Sequence, residues 1–169
     1  DRENVVGVGE IGYDQQTEAE ERAFRRQLQM AEERELPVIV HTPHENKPSG
    51  TERIVDVIED EGVTQERIII DHNTEETIET SLQTDCWLGF TLYPGKIEPS
   101  AAIDLLEEYG TDKMLFNSAA DWDPSDPLAV PKARDEMLDR GWDREMVRKV
   151  VLENPYEFFS QSPNFEYEL

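Results

Sequence analysis

Five apolar runs, each followed by a helical pattern, recur along the 169 residues at intervals that centre on one strand-helix unit of roughly 30 residues. They are 4–9 (NVVGVG), 37–41 (PVIVH), 67–72 (RIIIDH), 86–94 (CWLGFTLYP) and 113–118 (KMLFNS). Helical patterns lie between them at 17–36, 51–62, 74–84 and 100–110, and two more follow at 126–141 and 143–154. Nearly continuous apolar strands alternating with amphipathic helices predict an α/β fold with a parallel sheet covered by helices. Local signals agree. Thr17 and Glu20 have capping-box spacing ahead of Phe24, Leu28 and Ala31, Asp126 with Pro127 and then Asp143 open the last two helices, and Pro155 predicts the end of the final one.

Parallel α/β folds gather their chemistry at the carboxyl ends of the strands. Glu10 follows the first strand, His41 ends the second and His72 the third, at two equal intervals of 31 residues. Nothing ionisable stands after the fourth run, and Asp121 lies just past the fifth, with Asp123 and Asp126 competing for its place. Two imidazoles and two carboxylates on one rim suit zinc, manganese or magnesium, with an open position for an activated water. The bland alternative is that strand-end polar groups merely cap the sheet. Several neighbours have two readings each. His44 and Asn46 touch substrate or belong to a solvated loop, Trp122 walls the pocket or packs its own loop, and Asn117 and Ser118 orient the metal's water or satisfy strand-end backbone. Strand alternation turns Asp71 to the face opposite His72, from which it serves at most through a neighbour.

Gly7-x-Gly9-x-x-Gly12 has the spacing of a dinucleotide loop, but its context fails. The first two glycines lie inside the strand, Tyr13 to Gln16 intervene before the cap at Thr17, and the next strand ends in His41 instead of an acid. The glycines read instead as backbone room around Glu10.

Composition sets outer limits. Leu, Ile, Val and Phe make up 40 of 169 residues, above the roughly 20% that marks disordered chains, so a net charge of -23 does not prevent folding. The acids are spread along the whole chain and lysine is scarce, 5 against 11 arginines. That pattern suits the surface of a salt-loving organism's cytoplasmic protein, where salt screens the self-repulsion; a dedicated acidic partner surface is the alternative. Cys86 is the sole cysteine, which excludes a disulfide framework, and no apolar run reaches the roughly 20 residues of a membrane span.

VGVGEIGYD, LQMAEERELPVIVHT, IIIDHNTEET and LENPYEFF resemble, in combination, the TatD-related metal-dependent hydrolases of the amidohydrolase superfamily, especially an archaeal TIM-barrel branch. The resemblance runs through essentially the whole chain. It implies a hydrolase with one or two divalent ions. Glu10 would be a carboxylate shared between metals at the end of the fourth barrel strand, His41 and His72 ligands on the fifth and sixth, and Asp121 on the eighth a ligand that takes the proton of the attacking water. The implied substrate is a phosphodiester, nucleic acid included, with a small-molecule amide or lactone as the alternative. The family's first-strand His-x-His has no counterpart, His41-x-x-His44 being the nearest spacing, and FNSAAD stands where Glu-Thr-Asp is usual. The expectation is therefore one domain over 1–169, a partial TIM (β/α)8 barrel made of the last five βα units, which associates with itself or with a missing N-terminal half. Lacking that pair, the chain could otherwise be a catalytically silent acidic interaction module.

Overall fold

The computed structural model describes residues 4–119 and 125–169. Five strands, β1 (Val8–Gly12), β2 (Val38–His41), β3 (Ile68–Asp71), β4 (Trp87–Thr91) and β5 (Met114–Asn117), pair in chain order, all parallel. The first four are each followed by a helix: α1 (Glu18–Glu32), α2 (Lys47–Glu61), α3 (Ile78–Ser81) and α4 (Pro99–Tyr109). After β5 come α5 (Ala129–Asp139), α6 (Arg144–Arg148), a π-helical segment (Lys149–Glu153) and α7 (Asn154–Phe159). Strand-helix alternation and the parallel sheet are as the sequence implies.

The two faces of the sheet differ in chemistry. Val38, Val40, Ile68, Ile70, Leu88, Phe90, Met114 and Phe116 alternate onto the face packed under the helices, in two clusters with residues such as Phe24, Leu28, Ile54, Ile103 and Met137. Each such side chain taken fully from water stabilises the fold by roughly 1.5–3 kcal/mol. The opposite face carries Ile69, Trp87 and Leu115 low on the strands, closed by Phe158 of α7. Its upper layer, at the carboxyl ends, is polar. The apolar layer fixes the strands, and the polar layer is what they present.

Several boundaries depart from the sequence reading: α5 starts at Ala129 with Leu128 at its N-cap, not at Asp126 and Pro127, and four others depart for a local reason. β1 starts at Val8 and runs to Gly12, because three residues of it span two of β2: Val8 pairs with Val38 but Ile11 with Val40. This bulge contains Glu10. α2 begins at Lys47, a turn earlier than expected, with Pro48 in its first turn, where a missing N–H costs nothing. α3 is only four residues long, since Asn73, Thr77 and Ser81 bond to one another (Thr77 Oγ1 and Ser81 Oγ both donate to Asn73 Oδ1) and to nearby backbone in competition with a helix. The last helix does not stop before Pro155. It widens, with the Asn154 N–H reaching back to Lys149 O, which admits the proline ring, and buried Asn154 donates to Thr111 O and Met114 O at the base of β5.

The capping box at Thr17 forms, and Glu20 accepts backbone N–H bonds from Thr17 at 2.7 Å, Gln15 at 3.1 Å and Asp14 at 3.2 Å. Those donors hold the Glu20 carboxyl down at about 2. A depressed carboxyl stabilises the fold above its unfolded value of about 4.3 and loses that contribution as pH falls towards about 2. The Gln15 and Thr17 amides should accordingly lose protection, measured against their intrinsic exchange rate at each pH, across that window, and the Glu20→Gln variant should show no such step.

Candidate metal centre

Glu10, His41 and His72 come together, one donor atom from each lying within 4.8 Å of the others. Their equal sequence intervals are not what aligns them. Gly12, His41 and Asp71 share one level of the ladder, so Glu10 sits two residues below that level and His72 one above it. The bulge re-aims Glu10. His72 follows the last residue of β3 with φ +62°, a left-handed conformation that breaks the strand's alternation and turns its ring back over the sheet. His72 Nε2 is 3.4 Å from Glu10 Oε1, and the two imidazole rings meet edge-on at 6.4 Å between centroids.

Asp71 lies on the same face as His41, because in-register residues of parallel strands share a face. The expectation that it points away from the site is thus corrected: the residue out of alternation is His72. The buried Asp71 carboxylate accepts from Thr91 Oγ1 at 3.1 and 3.2 Å, from Asn117 Nδ2 at 3.1 Å to each oxygen, and from the His72 N–H at 2.7 Å. Thr91 Oγ1 is also 2.6 Å from His72 Nδ1. The threonine hydroxyl has one proton and an ionised carboxylate only accepts, so that proton goes to Asp71 and Nδ1–H donates to Thr91. Nε2 is left with its lone pair facing Glu10. Carboxylate, hydroxyl and imidazole therefore fix the tautomer a metal ligand needs. The Asn117 side-chain amide donates to Asp71 and so steadies it.

This network lies over Gly89. A Cβ there would come within 2.9 Å of Asp71 Cγ and closer still to Oδ1. Gly89→Ala should lower stability by about 1–3 kcal/mol, as overpacking does, and weaken metal uptake, measured by thermal melting and metal titration. The amino-terminal glycines also make room, though not around Glu10 as expected. Cβ atoms at Gly9 and Gly12 would meet β2, at 3.0 Å from Ile39 Cβ and 2.9 Å from His41 Cδ2.

Two lysines complete the rim, and the sequence reading missed both. Lys96, in the loop after β4, corrects the view that nothing ionisable follows that strand: its Nζ is 3.1 Å from His72 Nε2 and 3.3 Å from Nδ1. Lys47 Nζ donates to Thr42 Oγ1 at 2.6 Å, and Thr42 donates to Asp71 O at 3.0 Å. Burial, followed by the Lys96 charge, pushes Lys47 down to about 8. The nearby His72 ring, with smaller help from the charges at His41 and Lys96, holds the Glu10 carboxyl below its usual range, and burial lowers His41. Glu10 is thus ionised and His41 neutral at neutral pH, the protonation states of ligands.

His44 and Asn46 stand exposed on the loop before α2. Partial burial, followed by the charges of Lys96 and Lys47, lowers His44. Asn46 takes a left-handed turn at the start of α2, and its carbonyl accepts from Gln16 Nε2 at 3.4 Å. Ser118 Oγ is 3.5 Å from Pro127 O. Asp126 accepts the Leu128 N–H at 2.9 Å and Lys132 Nζ at 2.5 Å, a turn-capping role. Asp121, Trp122 and Asp123 lie outside the described residues.

The chain is similar to known proteins. The family described as TatD related DNase matches residues 1–160. An uncharacterized metal-dependent hydrolase of Methanocaldococcus jannaschii is 29% identical over 160 residues, 94% of this chain and 63% of its own length. Among solved structures, the TatD-like protein of Archaeoglobus fulgidus superposes with TM-score 0.76 at 26% identity, over 92% of this chain and 60% of that one. The phosphotriesterase homology protein of Escherichia coli, complexed with phosphate in its active site, shares the fold with TM-score 0.69 at 18% identity, over 92% and 59%. The chain spans about three fifths of the length of each.

Proposed function

Because the chain belongs to the TatD-related DNase family, we propose that it acts as a metal-dependent hydrolase of phosphodiesters, nucleic acid strands included. The observation that carries this reading is the convergence of an ionised Glu10, a neutral His41 and the Nε2 lone pair of His72. The donor set fits a divalent ion, and the ammonium of Lys96 already stands among those donors. Zinc, manganese or magnesium held by Glu10, His41 and His72 would supply an acidified water and a Lewis acid for the phosphoryl oxygen. The chain's own groups do the rest. Asp71 and Thr91 keep His72 in one tautomer and orientation. Asp121, from its place after β5, is assigned a further ligand position and the proton of the attacking water, and His44, Asn46 and Trp122 the contacts to substrate.

β1 and β5 each pair on one side only among the described residues. This supports reading the five units as the arc of a barrel whose other strands come from another segment or a second copy. We also read the dispersed acidic surface as that of a cytoplasmic protein adapted to high salt. Among the described residues no helix is long and apolar enough to cross a membrane.

A substrate panel tests the reaction. After chelation and addition of manganese or zinc, bis(4-nitrophenyl) phosphate and a single-stranded oligonucleotide should be hydrolysed faster than a lactone or an amide. Preference for the lactone or amide would overturn the phosphodiester assignment, and metal-independent silence towards all of them would favour an interaction module.

A further inference from the structure

We infer that Lys47 and Lys96 form an anion-recognising pair beside Glu10, His41 and His72, which selects substrates carrying an anionic phosphoryl group over neutral esters and amides. This rests on the hydrolase reading of the same site. The chain has five lysines against 39 acidic residues. Lys132 and Lys149 pair with Asp126 and Asp112, and Lys113 donates to Asp85 O at 2.8 Å. Among the described residues, neither Lys47 nor Lys96 has a carboxylate within ion-pair distance, although acids outnumber bases everywhere on this surface. Two cations left unpaired at one rim in so acidic a chain imply an anion from outside it.

Both lysines are held in place. Lys47 is the first residue of α2 and is anchored through Thr42 to the backbone at Asp71. Lys96 is fixed by a turn, its N–H donating to Tyr93 O at 2.9 Å, and by the buried Ile97 beside it; its ammonium lies 5.8 Å from the centre of the Tyr93 ring. The Lys96 ammonium lies within 3.3 Å of both ring nitrogens of His72. Once Nε2 holds a divalent ion, the ammonium beside it meets a like charge, which an incoming phosphoryl oxygen offsets. α2 adds to this: its amino terminus, on the same rim, has no side-chain cap, so its dipole favours an anion. A neutral lactone or amide offers nothing to balance two ammonium groups.

Calorimetric titration of inorganic phosphate into zinc-loaded protein at fixed ionic strength tests the pair. Lys47→Met and Lys96→Met should each weaken phosphate binding by about tenfold or more, the scale of a charged hydrogen bond. Lys47→Arg and Lys96→Arg, which restore the charge, should recover most of the loss, and the surface variant Lys132→Met should bind phosphate as the wild type does. Zinc affinity, titrated separately, should be equal or tighter in Lys96→Met. Unchanged phosphate affinity in both methionine variants, with zinc still bound, overturns the pair and leaves the hydrolase reading standing. If the wild type takes up no zinc, the hydrolase reading fails, and phosphate binding to the metal-free proteins still decides: tighter binding by wild type than by the methionine variants supports the pair, equal binding overturns it.

Discussion

Replacing His72 with asparagine is expected to weaken divalent metal binding by at least about 100-fold while the fold persists. Loss of a supporting partner alone costs 10- to 100-fold, and this change removes a ligand atom. Asparagine suits the test because it tolerates the left-handed φ of +62° that this position adopts, whereas alanine would add backbone strain to the loss. The His72 ring belongs to none of the apolar clusters that hold strands to helices, so the core stays filled. Metal titration, with circular dichroism to check the fold, reads the result, and phosphodiester hydrolysis should fall to background.

Asp71→Asn should damage stability and site together. The side chain is buried and accepts from three donors: the Thr91 hydroxyl, the Asn117 amide and the His72 N–H. An amide in its place has one oxygen and brings an NH2 group into a ring of donors, leaving a buried donor unpaired at a cost of about 1–3 kcal/mol. The Thr91 proton is then free to turn to His72 Nδ1, which moves the ring proton to Nε2 and spoils that atom as a ligand. The expected result is a lower melting temperature together with a 10- to 100-fold loss of metal affinity. Thr91→Val should reproduce the affinity loss, since it removes the hydroxyl that holds Nδ1.

What the sequence made legible follows from how local each signal is. The strand-helix alternation, the Thr17 capping box and the strand-end places of Glu10, His41 and His72 rest on nearby residues, and the structure shows the alternation, the capping box and the convergence of the three side chains. The equal 31-residue intervals picked out residues that converge, but for an incomplete reason, because a bulge at Glu10 and a left-handed turn at His72 bring together three different ladder levels. Asp71 was misread for the same cause: alternation was counted from His72, the residue that breaks it. Lys47, Lys96, Thr91 and Asn117 belong to the site only through tertiary placement. The one cue for Lys96 was a Pro-Gly turn after β4 that folds the next residue back towards the strand ends. The π-helical widening before Pro155 had no cue in a pattern read only for helix stops.

The central claim is that Glu10, His41 and His72 bind one divalent ion together. An anomalous difference map from zinc-soaked crystals tests it most directly. The account predicts a strong peak bonded to Glu10, to His41 and to Nε2 of His72, with the Lys96 ammonium moved off that nitrogen. A zinc ion bound elsewhere on the acidic surface, with Lys96 still on His72 Nε2 and no peak among the three donors, would contradict it.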